Sequence, residues 1–118
     1  LCTHIGNKKI EVFEPYTRQI IDCIAQSQNQ AQIRSWTKVL SAAKWDLTLH
    51  EDLFEICLEF IRNPKNKVAV QVYSMYILLP FLEKYPELKH EVLMTVEHHS
   101  VGKTPAYFAA LKYFKKKV

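Results

Sequence analysis

The sequence predicts an all-α fold, a right-handed α-α superhelix of about three stacked helix hairpins. Only two glycines, Gly6 and Gly102, occur among 118 residues, too few for glycine-rich hairpin turns or phosphate-binding loops. Apolar side chains recur at the three- and four-residue spacing of amphipathic helices. The helical segments also repeat in pairs. A chain of this length with 48% hydrophobic residues is expected to form a single domain over residues 1–118.

The first hairpin is expected over about residues 13–44. Pro15 fits the first turn of its opening helix, because a first-turn amide has no partner within the helix and proline lacks that amide. The second helix is expected over residues 30–44. Its apolar side chains lie at helical spacing: Ile33, Trp36, Val39, Leu40 and Ala43.

The second hairpin is expected over about residues 48–84. Thr48 followed by Glu51 is typical of a capping box that opens a helix ending near Arg62. Asn66 is expected to cap the following helix, which is apolar on nearly all sides and must therefore be buried between neighbours. Pro80 inside it predicts a kink. The helix that ends near Arg62 is expected to bury Leu49, Leu53, Ile56, Cys57, Phe60 and Ile61.

The third hairpin is expected over about residues 86–117. Pro86 opens its first helix, which Gly102 ends. Thr104 and Pro105 then form a cap and first-turn pair for the last helix. At the other end of the chain, residues 1–5 before Gly6 are typical of the end of a truncated preceding helix.

The hairpins repeat one another. A shift of 37 residues superposes Tyr16 on Leu53 and Ile24 on Ile61, and the same shift takes Ile33 to Val70. Both helices of a hairpin therefore move together, as in a repeat protein. A two-helix unit cannot cover its own apolar face, so the units are expected to stack with their second helices on the concave side.

The stretch "NQAQIR" over residues 29–34, together with this period and the proline at the start of a first helix, resembles HEAT or armadillo units. The second copy, "NKVAVQ", has Gln71 where the arginine would fall. Over most of residues 12–118, "VFEPY" and "NKVAVQVYSMYILLPFLEKYPELKHEV" resemble a bacterial family of uncharacterised HEAT-like proteins. Some of its members carry an adenylosuccinate lyase label. The chain lacks the serine-containing signature loop and long bundle helices of that lyase superfamily, so a lyase is the least favoured function.

The chemistry-bearing residues predict no catalytic, cofactor or metal site. His98 and His99 are adjacent and point about 100° apart on a helix, which prevents joint chelation. His50 and His90 are each followed by glutamate, but Phe54 and Met94 stand where a zinc-protease motif needs its second histidine. The ridge of Glu51, Glu55 and Glu59 is typical of a solvated helix face, and Trp36, Tyr73, Tyr76 and Tyr107 are expected to pack between hairpins.

Three cysteines at wide spacing, Cys2, Cys23 and Cys57, indicate a reduced, cytoplasmic compartment, and positions 23 and 57 fall on expected buried faces. The longest uncharged stretch, residues 68–82, is too short for a membrane span. Exposed apolar surface on an end hairpin would allow homo-oligomers.

The formal net charge is +4, and we predict a basic binding surface on the concave side. Its candidate residues are Arg34, Lys38, Gln71, Lys112 and Lys116. We expect a non-catalytic interaction or scaffold module that binds a protein or peptide. The alternative is a nucleic-acid-binding domain that uses the same basic face, as implied by an architectural resemblance to HEAT-like DNA glycosylases.

Overall fold

A computed structural model describes residues 10–11, 14–100 and 102–117. Within these ranges the chain forms six α-helices, and the predicted all-α class is confirmed. The helices are α1 (Glu14–Gln26), α2 (Gln30–Ala42), α3 (Asp52–Arg62), α4 (Val68–Lys84), α5 (Lys89–His98) and α6 (Pro105–Lys117). Single 3-10 turns, Leu47–Leu49 and Pro86–Leu88, precede α3 and α5. The predicted helix end at residues 1–5 lies outside the described residues, as does Cys2.

Two short strands, β1 (Ile10–Glu11) and β2 (Ala43–Lys44), form a parallel ladder that the sequence did not predict. Ile10 lies opposite Ala43 and Glu11 lies opposite Lys44. The ladder replaces the last turn expected of the second helix, because β2 starts where α2 ends. It fastens the segment before α1 to the end of the first hairpin.

The helices form two layers. α1 contacts α2, α3 contacts α4, and α5 contacts α6, so each hairpin has its two helices packed side by side. In the second-helix layer α4 contacts both α2 and α6, while in the first-helix layer α3 contacts α5. This is the arrangement expected of stacked two-helix units, in which each unit buries its apolar face against the next.

Helix α4 is the centre of the core because it packs against α2, α3 and α6. Its composition, apolar on nearly all sides, required such burial. Eight of its side chains are buried: Val70, Gln71, Ser74, Met75, Ile77, Leu78, Phe81 and Leu82. The backbone remains helical through Pro80.

One glutamine ties the first hairpin to the second. The Gln30 side chain donates to Asn66 Oδ1 at 2.9 Å, and its own oxygen accepts from the Lys67 amide at 2.9 Å. Asn66 was expected to cap α4, and that prediction was wrong: Lys67 occupies the cap position and the side-chain Nδ2 of Asn66 donates to the Phe60 carbonyl at 3.2 Å. Contact with the neighbouring hairpin therefore replaces a local cap.

The predicted capping box at Thr48 and Glu51 was also wrong. Asp46 accepts hydrogen bonds from the backbone amide and the hydroxyl of Thr48 and caps the 3-10 turn. The Thr48 hydroxyl is therefore not used to cap α3. Helix α3 consequently begins only at Asp52. Leu49, expected in the core, is 60% exposed.

The two described cysteines differ. Cys57 is fully buried in α3, as predicted, and burial raises the pKa of its thiol to about 12. Cys23 is exposed on α1, which corrects the expectation that both lie on buried faces. No helix in the described ranges has the length and hydropathy needed to cross a bilayer.

Candidate interaction surface

Charge is divided between the two helix layers. The sequences of α1, α3 and α5 contain seven carboxylates and three cations, a net charge of −4. Those of α2, α4 and α6 comprise one carboxylate and seven cations, a net charge of +6. The seven cations are Arg34, Lys38, Lys84, Lys112, Lys115, Lys116 and Lys117. The small net charge of the chain therefore conceals one acidic and one strongly basic layer.

Much of the charge in the first-helix layer is used to join helices. Arg18 on α1 donates to Asp22 at 2.8 Å and to Asp52 on α3 at 2.7 Å. The hydrogen bond from Arg18 lowers the pKa of Asp52, and the two carboxylates raise that of Arg18. Arg62 on α3 lies 3.6 Å from Glu91 on α5. These charged groups therefore pair with one another and help to stack neighbouring hairpins.

Two further acidic residues also contact side chains of other elements. Glu51 accepts from the Tyr85 hydroxyl at 2.6 Å, and that hydrogen bond raises the pKa of Tyr85. Glu97 on α5 pairs with Lys115 on α6 at 3.1 Å. The ridge of Glu51, Glu55 and Glu59 is exposed, as a solvated helix face would be.

Four of the five predicted surface residues are exposed. Arg34 and Lys38 lie one turn apart on α2, while Lys112 and Lys116 lie one turn apart on α6. Within the described part of the chain no carboxylate pairs with any of the four. The structure brings the residues together only as two pairs, because α4 lies between α2 and α6.

Gln71 is the exception, and its assignment to an accessible surface is corrected. It is fully buried, with an exposed fraction of 0%. Its side-chain amide points at the carbonyls of Phe60, Ile61 and Asn63, at 3.3 to 3.4 Å. The last carbonyls of a helix have no partner within it, so Gln71 serves the end of α3 from α4.

A shallow, open depression of about 390 Å³ lies on α6. It is lined by Phe108, Leu111, Lys112, Lys115 and Lys116. Phe108 is 47% exposed, so the depression combines an accessible aromatic ring with three ammonium groups. One of these three ammonium groups, Lys115, is paired with Glu97 on α5.

Tyrosines form a second accessible feature, which we call the tyrosine patch and define as Tyr73, Tyr76 and Tyr113. The rings of Tyr76 and Tyr113 meet edge to face at 5.6 Å, which joins α4 to α6. Burial and the neighbouring Tyr113 and Tyr73 raise the pKa of Tyr76. The Lys117 ammonium lies over the Tyr113 ring at 5.5 Å.

The aromatic residues expected in the core differ in how far they are buried. Tyr107 is fully buried, in agreement with the prediction, whereas Tyr73 and Tyr76 are only half-buried and Trp36 is 38% exposed. Tyr113 was missed as a surface residue. The shift of 37 residues relates only the first two hairpins, so the repeat gave no signal for Tyr113.

Among the described residues, no group of three or more His, Cys, Asp and Glu side chains is placed to hold a metal ion. His98 and His99 contact each other edge to face at 5.0 Å. Burial lowers the pKa of His99, and neighbouring cations act in the same direction.

Paired helices in two layers, with an exposed aromatic and basic side, define a helical-repeat protein of the solenoid class. The family model described as HEAT repeat domain matches residues 1–118. The chain therefore belongs to the HEAT repeat domain family, whose repeats generally mediate protein interaction or scaffolding. No curated protein and no solved structure matches the chain.

Proposed function

We propose that residues 1–118 form one HEAT-like interaction module that binds a protein partner through the exposed side of α2, α4 and α6, here called the second-helix face. Its hairpins are residues 13–44, 48–84 and 86–117, and the module acts as a non-catalytic scaffold in the cytoplasm. The observation that carries the proposal is the division of charge, with a net +6 on the second helices against −4 on the first helices.

The contacts of the charged groups support this face over the opposite one. Carboxylates of the first-helix layer pair with Arg18 and Arg62 across hairpins, and Glu51 accepts from Tyr85 at the end of α4. Arg34, Lys38, Lys112 and Lys116 are exposed instead, and uncompensated like charges raise the free energy of the fold slightly. Tyrosine and arginine are enriched in protein interfaces, so Arg34 and the tyrosine patch fit a recognition role.

Site-specific photocrosslinking in the source cells tests the proposal. Benzoylphenylalanine is placed at Ala109, an exposed small residue on α6, or at Glu55, an exposed residue on α3. We expect a reproducible protein adduct from Ala109 and none from Glu55, because only the first position lies on the second-helix face. Adducts from Glu55 alone, or recovery of the chain without any adduct from either position, would contradict the proposal.

Nucleic-acid binding is the second candidate, and the four lysines of α6 are the observation that favours it. It requires a micromolar or weaker affinity for a duplex of about 20 base pairs that falls as salt rises. The double variant Arg34→Glu with Lys38→Glu should weaken binding further. Equal duplex binding by this variant and by Lys89→Glu, which changes a cation of the first-helix layer, removes the candidate.

A further inference from the structure

We infer that the partner presents an acidic, extended segment with an aromatic residue or proline at its centre, and that this segment crosses α2, α4 and α6 over the tyrosine patch. The inference rests on the proposed function and specifies the chemistry of the ligand at the second-helix face. Three features carry it: the composition of the exposed side of α4, the cations on both sides of it, and the distance between them.

Before its last turn, which carries the exposed Glu83 and Lys84, the exposed side of α4 is neutral and apolar. Ala69, Tyr73, Tyr76 and Pro80 follow one another at three- and four-residue spacing and are all half-buried. The opposite side of the helix is in the core, so α4 offers a ligand these residues and, at its C-terminal end, the exposed pair Glu83 and Lys84. On α6 the patch continues with Tyr113, which is 46% exposed, and with the small exposed residues Ala106 and Ala109.

Cations flank this neutral strip on both sides. Arg34 and Lys38 are exposed on α2, and Lys116 and Lys117 are exposed on α6. Neither α2 nor α6 contains an acidic residue. Across the face the charge pattern is therefore positive, neutral and aromatic, then positive. The complementary ligand carries carboxylates at both ends and an apolar group between them.

The width of the face sets the length of the segment. Packed helix axes lie about 8–10 Å apart, so α2 and α6 are separated by two such spacings, about 16–20 Å. An extended chain advances about 3.3 Å per residue. A segment of about five or six residues therefore reaches from one pair of cations to the other, with its central residues on the tyrosine patch.

The tyrosine geometry favours a peptide over a nucleic acid. A base binds by stacking on an open aromatic face. Tyr113 has the Lys117 ammonium over its ring and Tyr76 packed edge to face against it, so these rings offer edges and partly covered faces. Proline and aromatic side chains pack well on such tyrosine surfaces. A phosphate backbone would also have to cross the uncharged middle of the face.

The test uses the full chain and three fluorescein-labelled octapeptides, with binding measured by fluorescence polarisation. The probe is Glu-Asp-Glu-Phe-Pro-Glu-Asp-Glu. One matched peptide has lysine in place of every acid, and the other has Ser-Gly in place of Phe-Pro. We expect the probe to bind at least about tenfold more tightly than either matched peptide, and its affinity to fall between about 50 and 500 mM NaCl.

Variants locate the site. Arg34→Glu with Lys38→Glu, and separately Lys116→Glu with Lys117→Glu, should each weaken probe binding by roughly tenfold. Tyr113→Ser should weaken it severalfold, while Tyr113→Phe should retain it because the ring remains. Lys89→Glu is the charge control and should leave binding unchanged. Circular dichroism melts of every variant confirm that the fold is intact.

Three results of the binding assay overturn the inference, and self-association gives a fourth. They are equal binding of all three peptides, loss of probe binding in Lys89→Glu to the same extent as in the face variants, and tighter binding of oligothymidine than of the probe. The inference can fail while the proposed function stands: adducts at Ala109 together with no preference for the acidic peptide would preserve the second-helix face and remove only the ligand chemistry. Saturable self-association blocked by the face variants would identify a second copy as the occupant and overturn the inference.

Discussion

Single buried polar side chains complete helix ends in this protein. Tyr107 on α6 is fully buried, and its hydroxyl donates to the Val96 carbonyl at 2.7 Å. Val96 lies in the last turn of α5, where backbone carbonyls have no partner within the helix. Gln71 does the same for α3 from α4. In both cases the second helix of a hairpin satisfies the end of its first helix.

Removal of the Tyr107 hydroxyl tests this role. Tyr107→Phe keeps the ring in the core but leaves the Val96 carbonyl without its donor, so we expect a loss of about 0.5–1.5 kcal/mol in the free energy of unfolding. Urea denaturation measures it. Tyr113→Phe is the matched control, because that side chain is 46% exposed, and its stability should not change. Equal stability of the two variants would contradict the assigned role.

At the scale of helices, ion pairs hold the first-helix layer in register. Arg18 bridges Asp22 on its own helix and Asp52 on α3, and the bridge spans one repeat. Its partners are about half exposed, with side-chain values of 56% and 51%, so solvent screens the interaction. The bridge therefore adds specificity of stacking to a core that supplies most of the stability.

The lowered pKa of Asp52 makes this contribution depend on pH. A carboxyl whose folded pKa lies below its unfolded value stabilises the fold above the unfolded value, and that stabilisation is lost as the pH falls through the folded pKa. Arg18→Gln should therefore cost about 0.2–1 kcal/mol near neutral pH and almost nothing near about pH 2. Thermal melts of Arg18→Gln and of the parent protein across this pH range measure the difference in stability.

The control for that experiment is Arg34→Gln, which removes an exposed cation from α2. Its stability relative to the parent should show no comparable pH dependence in the acid range, because within the described residues no carboxylate pairs with Arg34. An Arg18→Gln deficit that persists unchanged at acid pH would mean that packing of the arginine stem, rather than the ion pair, joins α1 to α3.

For the molecule as a whole, the core runs through all three hairpins without interruption. Buried side chains from Ile20 on α1 to Phe114 on α6 belong to one cluster. Cys57 lies near its centre on α3, whereas Cys23 is exposed. Repeat proteins unfold either unit by unit or all together, depending on how strongly neighbouring units are coupled. The continuous core and the central position of α4 favour the cooperative alternative.

Thiol labelling separates these alternatives. In a Cys2→Ser background at about pH 8, we expect rapid reaction of Cys23 with a disulfide reagent and slow reaction of Cys57, whose buried thiol has a pKa raised to about 12. The opening free energy obtained from Cys57 should equal the global free energy of unfolding from urea. A much smaller opening energy would show that the middle hairpin opens by itself and that the stack is not cooperative.

The sequence by itself determined the fold class, because helical spacing, scarce glycine and paired repeats leave few alternatives to stacked hairpins. It also identified α4 as the buried helix, since an apolar surface on nearly all sides demands neighbours. Helical periodicity also predicted the exposure of four of the five candidate surface residues. Arg34, Lys38, Lys112 and Lys116 lie on the polar sides of their helices and are exposed.

Only the tertiary structure decided what a neighbouring helix covers. Arg34 and Gln71 occupy equivalent repeat positions, yet the first is exposed and the second is buried, because α4 is packed on three sides. Local patterns also misplaced Cys23 and the start of α3. The tyrosine patch needs residues from α4 and α6 that lie 37 positions apart and meet only after stacking. Helical periodicity specifies which side of a helix is apolar, but the position of that helix in the stack determines how much of its surface remains accessible.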